Sequence, residues 1–123
     1  MNALNSLFLT TLLACTFAAC MPSSFDEKLL QGQWQGAQWI VEGQSDQIDA
    51  STAVFTFEPD GKYTYAYNDA VESGTYFMSN NELFTTPAGG IKMMVKVQKL
   101  TQDSLVFNMN RGGQSETLTL IRK

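Results

Sequence analysis

The 123-residue chain contains no histidine. That absence removes the usual general base near neutral pH, the commonest metal ligand and the proximal ligand of most haem sites. Cysteine is nearly as scarce. The only two, Cys15 and Cys20, lie early, so no disulfide or thiolate nucleophile can come from the residues after them. Ser-His and Cys-His catalysis are thereby excluded. Charge is missing from residues 1–19, and all 8 Lys+Arg and all 12 Asp+Glu follow, so the net charge of −4 belongs to the rest of the chain. No apolar run reaches the roughly 20 residues of a membrane-spanning helix. A carboxylate pair is the remaining catalytic option, but the acidic residues fall mostly in turns and at outward positions, so no enzyme and no cofactor is expected.

What the first residues do contain is an apolar run from Leu7 to Ala19. Its length suits the core of a signal peptide, about 7–15 residues, followed by small residues before a cleavage point. "FAAC" (17–20) resembles the bacterial lipobox, in which small residues precede a cysteine that is acylated after cleavage. "LLAC" (12–15) is a rival. A leading Leu favours Cys15, and two small residues favour Cys20, which is the expected attachment site. The opening "MNALNS" lacks the Lys or Arg such leaders carry, and an uncleaved membrane anchor is the competing reading. The expected organisation is a signal peptide over 1–19, a lipidated tether and helix start over 20–28, and one folded domain over 29–123. No Asp follows Cys20 directly, which points to the outer membrane of the cell envelope, on its periplasmic or surface face.

"SSFDEKLLQ" (23–31) opens with Ser24 and Glu27 in capping-box spacing, and Phe25 and Leu29 can share a face. A helix of one or two turns is expected. After it, alternation takes over. Strands are expected over 32–42, 51–58, 62–68, 72–79, 82–86, 90–100, 103–110 and 116–123. The inward sets read Ala53, Phe55, Phe57; Tyr63, Tyr65, Tyr67; Ile91, Met93, Val95, Val97; Leu105, Phe107, Met109; and Leu118, Leu120. Eight short strands with no room for a crossover helix are hairpin-linked neighbours, and closing them removes both open edges. The fold class is therefore all-β: an eight-stranded antiparallel up-and-down (meander) barrel, with the short N-terminal helical turn plugging one end.

Closure brings the first strand beside the last. Arg122 has the inward parity of Leu118 and Leu120 and should reach the indole face of Trp34. Gly32-Gln33-Trp34 resembles the G-x-W motif of the lipocalins. Arg122 resembles that family's arginine on the last strand, and "FTFEPDGKYTY", "GTY", "KLTQDSLVF" and "LTLIRK" resemble the small lipocalin-like domains of bacterial lipoproteins. The resemblance spans about residues 29–123. It implies that Gly32, Trp34 and Arg122 close the barrel and that the loop over 42–51 covers the open end. The barrel is shorter than a full lipocalin and lacks its trailing helix and disulfide.

Trp39 needs a bulge at Gly36 to join the interior, together with Ala37 and Val41. It is then the best single candidate to touch a ligand. The other ligand-binding candidates are Phe55, Phe57, Tyr63, Tyr65, Tyr76, Met93 and Phe107, with Met78 and Met94 suited to an adaptable apolar mouth, although Met94 has outward parity. A barrel of this size either fills with side chains or holds one small ligand, and rings this large favour filling. Glu42, Asp46 and Asp49 lack the spacing of a calcium loop, and no metal is expected. Lys92, Lys96 and Lys99 in an acidic chain give no nucleic-acid surface. The leading expectation is a lipid-anchored monomer binding a small apolar or amphipathic molecule at the open end, with membrane contact through its lipid. The alternative is an interaction or inhibitor module with a packed interior that binds a protein partner through its loops or outer face.

Overall fold

A single 3₁₀ turn, Glu27–Leu30, leads into the sheet. In the computed structural model, which describes residues 25–44 and 48–123, Asp26 caps this turn by accepting the Lys28 N–H at 3.0 Å. Ser24, the first half of the expected Ser24–Glu27 box, lies outside the described residues, as do Cys15, Cys20 and Asp46, and Glu27 Oε1 accepts the Met78 N–H at 3.3 Å. So short a turn has little stability of its own. Burial holds it: Leu30 is fully buried, and Phe25 and Leu29 pack against the same core.

Eight strands follow: β1 Gly32–Val41, β2 Val54–Phe57, β3 Lys62–Tyr67, β4 Ala70–Ser79, β5 Glu82–Pro87, β6 Met93–Leu100, β7 Ser104–Arg111 and β8 Gln114–Arg122. Each pairs antiparallel with its neighbours in sequence, and β1 pairs with β8, so the barrel is closed. The 3₁₀ turn lies at the end where β1 starts and β8 finishes. The long β1–β2 loop lies at the other, open end. Between Pro59 and Lys62 the chain reverses through Gly61, whose φ of 84° suits a residue without a Cβ. Ile91 was expected inside, but β6 begins only at Met93, because Gly89 and Gly90 prolong the preceding loop, and Ile91 is 85% exposed.

Two bulges reset the alternation. The β1–β8 register slips between Gly36 and Gln38. The extra residue is Ala37, which points to solvent, while Trp39 and Val41 turn inward. Ala37 thus corrects the expected inward set, because the residue that causes the parity change is itself left out of the ladder. The second slip, between Val97 and Lys99 opposite β7, leaves Gln98 unpaired and buries both Val97 and Leu100. Beside the first bulge the β1–β2 loop folds back along β1. Trp39 bridges to Ile48, and Ala50 lies so close over Gly36 that an added Cβ would sit 3.0 Å from its methyl carbon.

The core is continuous from Leu30, Trp34, Leu105 and Leu120 at the closed end to Phe57, Tyr63, Leu83, Phe107 and Leu118 in the middle. Full burial of an apolar side chain of this size stabilises by about 1.5–3 kcal/mol each. This part of the barrel needs no disulfide.

Candidate functional site

The closed end is sealed by one arginine. Arg122 lies over the Trp34 ring, 4.2 Å from its centroid. Its terminal nitrogens donate to Gln31 O at 2.8 Å and Leu29 O at 2.6 Å, and Nε donates to Gln102 O. The indole N–H of Trp34 donates to Leu30 O at 2.9 Å. Gly32, at φ 120°, leaves room for this: a Cβ there would meet a guanidinium nitrogen at 2.6 Å. These contacts satisfy carbonyls that the 3₁₀ turn leaves free.

At the open end the packing stops short of filling the barrel. A cavity of about 170 Å³ remains, floored by Phe55, Phe107, Leu83 and Leu118, with Trp39, Tyr65, Met93 and Met109 higher on its wall. A dry cavity of about 150 Å³ is enough to hold benzene, whereas drug-sized ligands need about 300–1,000 Å³. The space therefore takes one ring or a short chain. The aromatic wall is pre-arranged: Phe55 stacks on Tyr65 with centroids 4.3 Å apart and meets Phe107 edge-on at 5.5 Å.

Polar groups converge on the rim. Glu72 lines the cavity and accepts the Tyr63 hydroxyl at 2.8 Å. Arg111 also lines it, and its Nε lies 3.2 Å from Glu116 Oε2. Glu116 points inward and is 8% exposed, and this oxygen makes no hydrogen bond among the described residues beyond the ion pair. Burial, and then the hydrogen bond to Glu72, push the Tyr63 hydroxyl up to about 12. Burial also raises Tyr65, against an opposing pull from Arg111. Trp39 is almost fully buried, meets Tyr67 edge-on at 5.5 Å, and its Nε1 has no hydrogen-bond acceptor among the described residues.

Of the residues expected to touch a ligand, Trp39, Phe55, Tyr63, Tyr65, Met93 and Phe107 line the cavity, Met93 half exposed at the rim. Phe57 and Tyr76 do not line it. They pack edge-on at 5.0 Å nearer the closed end, where the Tyr76 hydroxyl donates to Glu58 O at 2.7 Å. Met78 was expected at the mouth but sits beside Phe25 and Glu27 at the closed end, because β4 runs towards that end before turning at Asn80. Met94 is outward and exposed. The loop over 42–51 places Asp49 in a turn, where its carboxylate accepts the Ser51 N–H at 2.9 Å. Sequence reasoning passed over Glu72, Thr85, Arg111 and Glu116. The signal was there: Glu116 shares the parity of Leu118, Arg111 that of Met109, Thr85 that of Leu83, and Glu72 that of Tyr76. Alternation traced through apolar residues alone does not reach these four.

With this geometry established, the comparisons agree on the class of protein. The model of the lipocalin-like domain matches residues 30–107, more than half of the chain, and the chain belongs to that family. A lipocalin-like protein from Bacteroides uniformis ATCC 8492 has a similar structure, with a TM-score of 0.61 at 17% identity over 77% of this chain and 99% of its own. An uncharacterized protein from Bacteroides eggerthii DSM 20697 gives 0.60 at 14% identity over 76% and 98%. At these identities the likeness is one of fold. No curated protein matches the chain. Barrels of this family typically bind ligands and do not catalyse.

Proposed function

We propose that this protein binds one small apolar or amphipathic molecule in the open end of its barrel and is held in the cell envelope by a lipid on Cys20, with Cys15 as the rival site. The observation that carries the binding reading is the cavity of about 170 Å³, apolar below and polar at its rim. The lipobox-like "FAAC" supports the anchor, and the absence of an Asp after Cys20 supports the outer membrane. Native mass spectrometry of protein taken from its own membranes should show a small molecule bound one to one, lost in a Val95→Phe variant that narrows the cavity. Protein of apo mass alone would overturn the binding reading. Cys20→Ala should abolish palmitate labelling; if Cys15→Ala does so instead, the attachment site moves.

One observation favours the alternative, a module that binds a protein partner through its outer face. On the outside of β4–β6, Phe77 stacks on Phe84 at 4.8 Å, with Met94 next in register, and all three are partly or fully exposed. Lys92 lies over both rings, at 5.4 and 5.3 Å. A Phe84→Ser variant separates the two readings, since it alters this face and leaves the cavity intact.

A further inference from the structure

We infer that the molecule held in the cavity is a small organic cation: an aromatic or short alkyl amine whose ammonium group meets the carboxylate of Glu72. The inference rests on the ligand-binding reading above and narrows it to one chemical class.

It starts from the charges that face the cavity. Among the described residues, three formally charged side chains lie at its rim: Glu72 and Arg111 line it, and Glu116 is Arg111's buried partner. Arg111 is matched by Glu116, with Nε 3.2 Å from the carboxylate oxygen. Glu72 has no such match. The ion pairs among the described residues are Lys62–Asp60 and Arg111–Glu116, and neither involves it. Its one hydrogen bond among the described residues is from a neutral phenol, the Tyr63 hydroxyl at 2.8 Å. The described residues therefore give the cavity one uncompensated negative charge, on a half-buried carboxylate. Partly buried charges are screened far less than surface ones, so a cation arriving there gains more than it would at an exposed glutamate.

The rings select in the same direction. Tyr65 is the direct cross-strand neighbour of Glu72, and Phe55 stacks on Tyr65 at 4.3 Å. Trp39 completes this wall of the cavity. Aromatic faces are electron-rich and attract a cation lying over them. They repel an anion for the same reason. An anionic ligand would face two carboxylates, Glu72 and Glu116, against the single guanidinium of Arg111. A neutral ligand would leave the Glu72 charge unmatched. The volume of about 170 Å³ sets the size: a single ring with a short arm reaching the rim.

The test uses three probes of nearly equal shape: 2-phenylethylamine, 2-phenylethanol and phenylacetate. Each is titrated into the full, detergent-solubilised protein, with tryptophan fluorescence as the readout. The amine should bind about tenfold or more tightly than the alcohol, roughly the ratio that separates a matched from an unmatched charge, and phenylacetate should bind weakest. Molar salt should shrink the gap. Glu72→Gln keeps an acceptor for Tyr63 and should erase the preference for the amine. If the alcohol or phenylacetate binds as tightly as the amine, the charge inference falls and the cavity reading stands. If Glu72→Gln folds and keeps the preference, the assignment to Glu72 falls. If none of the three binds, the inference and the ligand-binding reading fall together. Should the variant fail to fold, the amine-to-alcohol ratio in the unaltered protein decides alone.

Discussion

The guanidinium of Arg122 lies 4.2 Å above the ring of Trp34 while donating hydrogen bonds to the carbonyls of Leu29, Gln31 and Gln102. One side chain thus joins the last strand, the first strand, the 3₁₀ turn and the β6–β7 turn. Lysine has a single ammonium and cannot reproduce that planar fork. Arg122→Lys should therefore lower stability by about 2–4 kcal/mol, combining the cation–π contact with hydrogen bonds made by a charged donor. Urea unfolding of the two proteins checks it. A loss below about 0.5 kcal/mol would mean that the ring and carbonyls are held without the arginine.

Gly36 and Gly74 have ordinary φ values and are glycine for reasons of space. A Cβ at Gly74 would sit 2.8 Å from Pro87 Cα, and one at Gly36 would sit 3.0 Å from the Ala50 side chain, with backbone oxygens closer still in both places. Backbone must move to accept either, so Gly36→Ala and Gly74→Ala should each destabilise by about 1–3 kcal/mol. Thermal melts measure this directly. The Gly36 change should also loosen the β1–β2 loop, visible as faster hydrogen exchange at the Ala53 and Gly36 amides.

Tyr63 links stability to alkaline pH. Its folded value is raised to about 12, from an ordinary 10.0, by burial and by Glu72. The unfolded chain therefore loses this proton first. The stabilisation is complete below about pH 10 and is lost as pH climbs towards 12, with Tyr65 and Tyr76, also raised by burial, acting in the same direction. Denaturant midpoints should fall across that window, and Tyr63→Phe should flatten part of the fall. Ultraviolet difference absorbance should show tyrosine ionisation extending to about pH 12, and Tyr63→Phe should remove the latest part of it.

Trp39 gives an optical check on the first bulge. In a Trp34→Phe variant the remaining indole should emit to the blue and resist acrylamide, as its 6% exposure requires. Strong quenching would place it on the outer face and remove the bulge at Ala37. Addition of a bound probe should change this emission, because the ring lines the cavity.

Much of the barrel was legible in the sequence. Strand number, hairpin order and closure follow from period-2 alternation broken by turn residues, because a strand with one buried face cannot hide its pattern. The Trp34–Arg122 contact was legible too, since closure makes β1 and β8 neighbours and sets the end of one beside the start of the other. The cap at Asp26 was not, because Asp26 accepting from Lys28 N–H and Glu27 accepting from Met78 N–H depend on where the 3₁₀ turn begins and on what packs beside it. The bulge residue was missed by one position, and the bulge at Gln98 altogether, because a slip changes which of two adjacent residues is unpaired and both alternatives keep apolar residues inside.

By itself the sequence determined the element types, their order and the absence of histidine and thiol chemistry from the domain, since these depend on local pattern and composition. Only the tertiary structure decided that the interior is packed at one end and hollow at the other. A cavity is a small difference between the volume that eight strands enclose and the volume that their side chains fill. The same holds for charge. That Arg111 is matched by Glu116 while Glu72 is not depends on which strands meet around the ring, and no local pattern records that.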